Sequence, residues 1–270
     1  MSQSFVDTTI LVAVADLQQP NRAAAEAALA AHTQNDLPNY ALRELQTGVL
    51  RYLCEVHNVL LSSANFTEAL VALHKLPAVQ GRKKQAKLQI VADTLQEVFT
   101  VNPSGARSAM TEEAIGALSL RIAQLWLSAR AHRQLTNTQP LSCFNDGDLT
   151  RDAAGSIRGP KDSFNCLSGE RCAAAAYMYD NKSVLQKLHA ALHPDLLPSQ
   201  LVDKQETKSR RAALKELLQN GPKDFSKTFC RSLGDAYFAA MAPAGKDILT
   251  TNAVDFEPLC AAVGKKIAGI

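Results

Sequence analysis

Aromatic side chains make up only 6% of this 270-residue chain, and its one tryptophan, Trp126, sits among Ile122, Leu125 and Leu127 at helical spacing. That placement assigns Trp126 to core packing. Charge of one sign is also in short supply: 29 basic residues face 26 acidic ones, a formal net charge of +3. No overall field therefore demands a polyanionic partner, and any nucleic-acid binding must rest on local basic patches. No stretch offers about 18 uninterrupted apolar residues, which excludes a membrane-spanning helix. Met1-Ser2-Gln3-Ser4 lacks the basic start of a signal peptide, and the apolar stretch after it carries Asp7 and Asp16. The expectation is a cytoplasmic protein.

Paired C-x2-C knuckles are missing as well. Six cysteines in a chain read as cytoplasmic are thiols or metal ligands rather than a disulfide framework. Cys143, Cys166 and Cys172, with Cys230 as a fourth member, form a candidate structural zinc set whose C-x22-C-x5-C spacing is unlike the usual zinc ribbons. Against that stands the plainer reading of buried small hydrophobes or ordinary thiols, which Cys54 and Cys260 fit best. His57, His74, His132 and His189 form no pair with metal-ligand spacing and read as surface or satisfied structural residues.

What the chain does have is 46% hydrophobic residues, enough to bury a sizeable core as one large domain or one domain with a big insertion. Phe5 and Val6 predict a strand, with Thr8 or Thr9 capping the helix that follows. An alanine-rich helix is expected over Arg22 to His32, then a turn, then a brief strand over Leu37 to Tyr40. Leu42, Leu45, Val49, Leu50 and Leu53 recur at helical spacing and put Glu44 in the first turn of a helix. Amphipathic stretches follow near 66–76, 83–100, 111–135, 169–192 and 206–219, with a Gly/Pro/Asn/Ser-rich loop over 137–165. After Gly221-Pro222 the expected order is a helix from Asp235 to Met241, a strand from Ile248 to Thr251, and a helix from Asp255 to Val263 closed by Gly264. Basic residues cluster at Arg82, Lys83, Lys84 and Lys87, at Arg130 and Arg133, and at Lys208, Arg210, Arg211 and Lys215. Such runs are solvated helix faces or, beside an acidic site, contacts for a phosphate backbone.

The two ends of the chain carry matching signals. Phe5-Val6-Asp7-Thr8-Thr9-Ile10-Leu11 and Ile248-Leu249-Thr250-Thr251-Asn252-Ala253-Val254-Asp255-Phe256 each place an aspartate just past a short apolar run. If the runs are neighbouring parallel strands, both carboxylates emerge at one sheet edge, where α/β folds put their sites. Crowded carboxylates repel unless a divalent cation neutralises them. Each acid alone also has a local explanation, since Glu44, Asp235 and Asp255 all fall at predicted helix N-termini.

Taken together, the Asp-Thr-Thr-x-Leu segment at Asp7, the Leu-Arg-Glu-Leu context of Glu44, Gly234-Asp235-Ala236, and Leu249-Thr250-Thr251-Asn252 with Asp255-Phe256 resemble the PIN-like nuclease family. The resemblance covers roughly residues 4–60 and 225–266. It implies an α/β core over 1–61 and 222–270, with a mostly parallel central sheet flanked by helices, enlarged by a helical insertion over 62–221. It further implies that Asp7, Glu44, Asp235 and Asp255 hold one or two Mg²⁺ or Mn²⁺ ions, with Thr8 and Asn252 as polar support. Glu170 and Asp162 are alternatives for the third acid, though Asp235 has the family's context and order. The implied activity is metal-dependent phosphodiester hydrolysis, in RNA first and DNA second, in a family that often includes toxins held by an inhibitory protein. The rival expectation is a non-catalytic nucleic-acid-binding or scaffold protein that keeps the fold. A DNA nuclease of the related flap-endonuclease type is less favoured, because no helix-hairpin-helix signature is present.

Overall fold

The computed structural model describes residues 2–16, 19–75, 82–101, 107–134, 147–159, 172–202, 204–223, 225 and 227–270. The chain starts with β1 (Gln3–Val6), α1 (Thr8–Ala15), α2 (Arg22–Ala30), β2 (Gln34–Asp36) and α3 (Asn39–Leu45). A π-helical turn (Gln46–Leu50) carries α3 into α4 (Arg51–Ser62). Next come α5 (Phe66–Lys75), α6 (Arg82–Val101), α7 (Arg107–Gln134) and a hairpin of β3 (Thr150–Arg151) with β4 (Ile157–Arg158). Then α8 (Ala173–Asp180), α9 (Lys182–Ala191), α10 (Ser199–Val202), α11 (Gln205–Asn220) and α12 (Lys227–Met241) lead to β5 (Asp247–Thr250), α13 (Ala253–Val263) and β6 (Lys266–Gly269). The architecture is mixed α/β, with most described residues helical. No helix among them is long and apolar enough to cross a membrane.

The main sheet has four parallel strands in the order β2-β1-β5-β6. From β1 the chain passes by helices to β2 on one side, and from β5 by α13 to β6 on the other. The carboxyl ends of β1 and β5 therefore flank a topological switch point, the usual place for a site in an open parallel sheet. Register fixes the neighbours there: Val6 pairs with Leu249, and the Asp7 amide donates to the Leu249 carbonyl at 3.0 Å.

Several expected boundaries move. The second strand lies at Gln34–Asp36, in the stretch read as a turn, and Leu37 to Tyr40 is its exit and the start of α3. As an edge strand, β2 needs backbone pairing to β1 more than apolar side chains, and Pro38 then prevents it from continuing. The cap of α1 is Asp7 itself, whose side chain accepts from the Thr8 amide, rather than Thr8 or Thr9. The expected 169–192 helix is broken into α8 and α9 at Asn181. Of the histidines read as surface or satisfied structural residues, His57 is buried: its Nδ1 bonds Asn58 Oδ1 at 3.0 Å, and its Nε2 has no hydrogen-bond partner. Trp126, Cys54 and Cys260 are buried as expected. The β3–β4 hairpin lies within the 137–165 loop, and Asn58 of α4 holds it by two bonds of 2.8 Å to the backbone of Ile157.

The helices between β2 and β5 are not a detached lobe. Leu118, Ile122 and Leu125 of α7 belong to the same buried cluster as Phe5 of β1 and Ile10 of α1. Arg121 of α7 forms a two-pronged ion pair with the buried Asp16 after α1, at 3.0 and 2.6 Å.

Five of the aromatic rings gather in one place. Phe5 meets Phe238 edge-on at 5.4 Å, Tyr40 meets Tyr237 at 5.0 Å and Phe238 at 6.0 Å, and Phe238 meets Phe256 at 6.2 Å. These rings belong to β1, α3, α12 and α13, the four segments that carry Asp7, Glu44, Asp235 and Asp255. Each acid stands within four residues of a ring in this brace. Offset edge-to-face pairs add about 0.5–1.5 kcal/mol each beyond area burial.

Candidate acidic site at the sheet edge

Asp7 leaves β1 as the hinge of a threonine network. Its Oδ1 accepts from the Thr8 amide at 2.7 Å, and its Oδ2 accepts from the Thr9 hydroxyl at 2.7 Å and the Thr250 hydroxyl at 2.8 Å. The Thr251 amide donates back to Thr9 Oγ1 at 3.1 Å, and the Asn252 amide to Thr250 Oγ1 at 3.0 Å. The two Thr-Thr pairs thus interlock across β1 and β5. Sequence reading singled out Thr8 and missed Thr9 and Thr250; the signal was there in the doubled threonine after each apolar run.

Glu44 is near the end of α3, not in its first turn, so helix-dipole stabilisation does not account for it. Its Oε2 accepts from the Thr8 hydroxyl at 2.6 Å. Asp235 stands within α12, immediately after Gly234, where the helix kinks through φ 34° and ψ −117°. The predicted helix start at Asp235 is this kink. A Cβ on Gly234 would lie 3.9 Å from Arg210 Nη2 and 4.0 Å from Glu44 Oε1, so the kink faces both groups. Only glycine adopts this backbone without strain. Gly234→Ala is expected to cost about 1–3 kcal/mol of stability in urea unfolding.

Asp7, Glu44 and Asp235 share one electrostatic environment. Burial, followed by the charge of Asp235, raises the Asp7 carboxyl to about 6, although its threonine bonds oppose the shift. Burial, followed by Asp235 and Asp7, raises Glu44 to about 8. Carboxylates that lift one another in this way are close and short of positive charge. The other two pairings supply such charge from the helical middle of the chain. Arg210 of α11 bonds through Nη2 to Asp235, and Lys204 Nζ bonds Asp255, at 2.6 Å to Oδ1. Asn252 Nδ2 adds a 2.8 Å bond to Asp255 Oδ2. Burial acts to raise Asp255, but its bonds to Lys204 and Asn252 win and hold it below the ordinary aspartate range.

Arg210 is therefore not part of a solvated basic face, as the 208–215 cluster suggested; it is buried against Asp235 with its Nε unpartnered. No sequence signal distinguished it from Lys208, which is exposed. Arg130 lies over the Trp126 ring and pairs with Asp148. Of the alternatives for the third acid, Asp162 and Glu170 lie outside the described residues, as do Cys143 and Cys166 of the candidate zinc set. Cys172 and Cys230 do meet: their side chains are hydrogen-bonded, and Arg43 Nη1 donates to Cys230 Sγ at 3.3 Å.

The structure therefore brings Glu44 and Asp235 together at the Gly234 kink, joins Glu44 through Thr8 to the segment that carries Asp7, and pairs Asp255 with Asn252. Hard oxygen donors of this kind suit Mg²⁺ or Mn²⁺. Among the described residues, no group of three or more His, Cys, Asp or Glu is arranged to hold a metal ion. No family model, no curated protein and no solved structure matches this chain.

Proposed function

We propose that this chain is a divalent-metal-dependent nuclease of PIN-like architecture that hydrolyses phosphodiester bonds in RNA. The observation that carries the reading is the convergence of Asp7, Glu44 and Asp235, from three distant parts of the sequence, on the switch-point edge of a parallel sheet. The donor set fits a hard cation. Asp7 and Glu44 accept hydrogen bonds from neutral donors and are raised by burial first and by the charge of Asp235 second, a condition that a divalent ion relieves.

In this reading Asp7, Glu44 and Asp235 hold the ion, and Asp255 with Asn252 completes the set. When bound, such an ion sharpens a water nucleophile and stabilises the leaving oxygen. Thr8 orients Glu44, while Thr9 and Thr250 fix the rotamer of Asp7. Arg210 and Lys204 supply positive charge beside the acids, which offsets their repulsion of a phosphate backbone.

The test is cleavage of labelled single-stranded RNA and DNA with Mn²⁺, Mg²⁺ or EDTA, comparing wild type with Asp7→Asn and Asp235→Asn. Metal-dependent cutting of RNA, lost by at least about 100-fold in both variants, is the expected result. Preference for DNA instead would move the substrate class. A second reading has its own observation: the Arg210–Asp235 and Lys204–Asp255 pairs already neutralise two acids, as in a protein that retains the fold for binding or scaffolding. The two separate on Mn²⁺ titration, since a catalytic cluster gains thermal stability by mass action and a scaffold does not.

A further inference from the structure

Cys172 and Cys230 come from segments far apart in the sequence, the start of α8 and the first half of α12, yet their side chains are hydrogen-bonded. Cys230 is buried at 1% exposure, whereas Cys172 keeps partial contact with solvent. Arg43 is itself buried, lies over the Tyr40 ring at 5.3 Å, and directs Nη1 at Cys230 Sγ. The bond from Cys172, then the positive charge and bond of Arg43, bring the Cys230 thiol down to about 6 against the effect of burial. Cys54 and Cys260, which burial pushes up to about 12, show the ordinary behaviour of a buried thiol. A partly exposed thiol paired with a buried cysteine that an arginine faces is the arrangement of an oxidisable pair.

We propose that Cys172 and Cys230 form a reversible disulfide in response to a hydroperoxide. Cys172 gives up its thiol proton and its sulfur attacks one peroxide oxygen; the O–O bond breaks, the departing oxygen takes up the proton, and the products are a sulfenic acid on Cys172 and the alcohol of the hydroperoxide, or water from hydrogen peroxide. The Cys230 thiolate then attacks the Cys172 sulfur, the S–O bond breaks, and hydroxide leaves and takes up a proton. The net reaction converts two thiols and one hydroperoxide into a disulfide, water and the corresponding alcohol, or a second water when the oxidant is hydrogen peroxide. A dithiol reductant reverses it.

The pair stands next to the acidic site through the covalent chain. Arg43 precedes Glu44 on α3, and Cys230 precedes the Gly234 kink and Asp235 on α12. Oxidation changes the sulfur that Arg43 faces and ties α12 to the start of α8, so it acts on both supports of the site. This inference does not depend on the nuclease reading.

Full-length protein treated with one equivalent of hydrogen peroxide, denatured and titrated for thiols, is expected to fall from six thiols to four. Peptide mapping should give one linked pair, Cys172 with Cys230, and dithiothreitol should restore all six. Wild type suffices for this, so a misfolded variant cannot obscure the outcome. Cys230→Ser should instead accumulate a sulfenic acid on Cys172 that a dimedone-type reagent captures. Six thiols after treatment, or a linked pair that omits either residue, would overturn the proposal.

Discussion

Arg210→Met is expected to lower the unfolding free energy at pH 8 by about 2–4 kcal/mol, toward the lower part of the range for breaking a buried ion pair because Asp235 keeps some exposure. Methionine retains much of the side-chain volume, so the loss reports charge more than packing. Without Arg210, three acids share one edge with no cation bonded to Asp235. The same variant at pH 5.5 should lose less, because Glu44 is then protonated and Asp7 partly so. Adding Asp235→Asn should restore most of the difference at pH 8. The contrast between the two pH values is what a packing defect would not produce, and equal losses at both would contradict the electrostatic account. The single variant should also bind Mn²⁺ about tenfold or more tightly in calorimetry, since no guanidinium then competes for Asp235.

The second large effect is a pH dependence set by Glu44. Its carboxyl titrates near 4.5 when unfolded and near 8 when folded, so between those values the native state holds the extra proton. Stability from this group is complete below pH 4.5, falls as pH rises, and levels off above 8. Asp7 adds a smaller descent that ends near pH 6. Asp255 works in the opposite sense at the acid end: its stabilisation by Lys204 is lost as pH falls through its lowered pKa. From these three groups, maximum stability is therefore expected near pH 4. Each pH unit between the folded and unfolded values is worth about 1.4 kcal/mol. Glu44→Gln, which keeps an acceptor for Thr8, should be more stable than wild type at pH 8 by about 3 kcal/mol, allowing for partial solvation. Urea unfolding at pH 5.5 and 8 reads this directly, and an unchanged pH slope in Glu44→Gln would exclude Glu44 as its source.

Asp7 makes a less clean probe than a sequence reading suggests. Besides carrying charge, it caps α1 and bonds Thr9 and Thr250, so Asp7→Asn relieves repulsion while giving up an acceptor that an amide nitrogen cannot replace.

What could be read from the sequence divides along physical lines. The ends of β1 and β5 were legible because a short apolar run broken by Asp-Thr-Thr or Thr-Thr-Asn is a local signal. Strand β2 was not, since Gln34-Asn35-Asp36 is polar and gains its conformation from pairing with β1. For the same reason Glu44 was placed at a helix start: with the strand shifted, α3 begins earlier, at Asn39. Strand β6, Lys266–Gly269, went unseen because its pairing with β5 exists only in the folded sheet. Lys204 and Arg210 were illegible for a different reason. Helical periodicity sorts polar from apolar faces, but it does not say which charge meets an opposite one. The adjacency of Cys172 and Cys230 likewise depends on how α8 packs on α12, which spacing alone does not encode.

The parallel pairing of β1 with β5 has a consequence in time. Thr250 reaches Asp7 across 243 positions, so the sheet's centre closes only after all the residues between β1 and β5 have been synthesised. Until then β1 has an open edge where β5 will sit, and the buried cluster lacks Ile248 and Leu249. Contacts of such long sequence separation form slowly and leave strand edges exposed to other chains. A chain truncated before Asp247 keeps Asp7, Glu44 and Asp235 but lacks the strand that braces Asp7, together with Asn252 and Asp255.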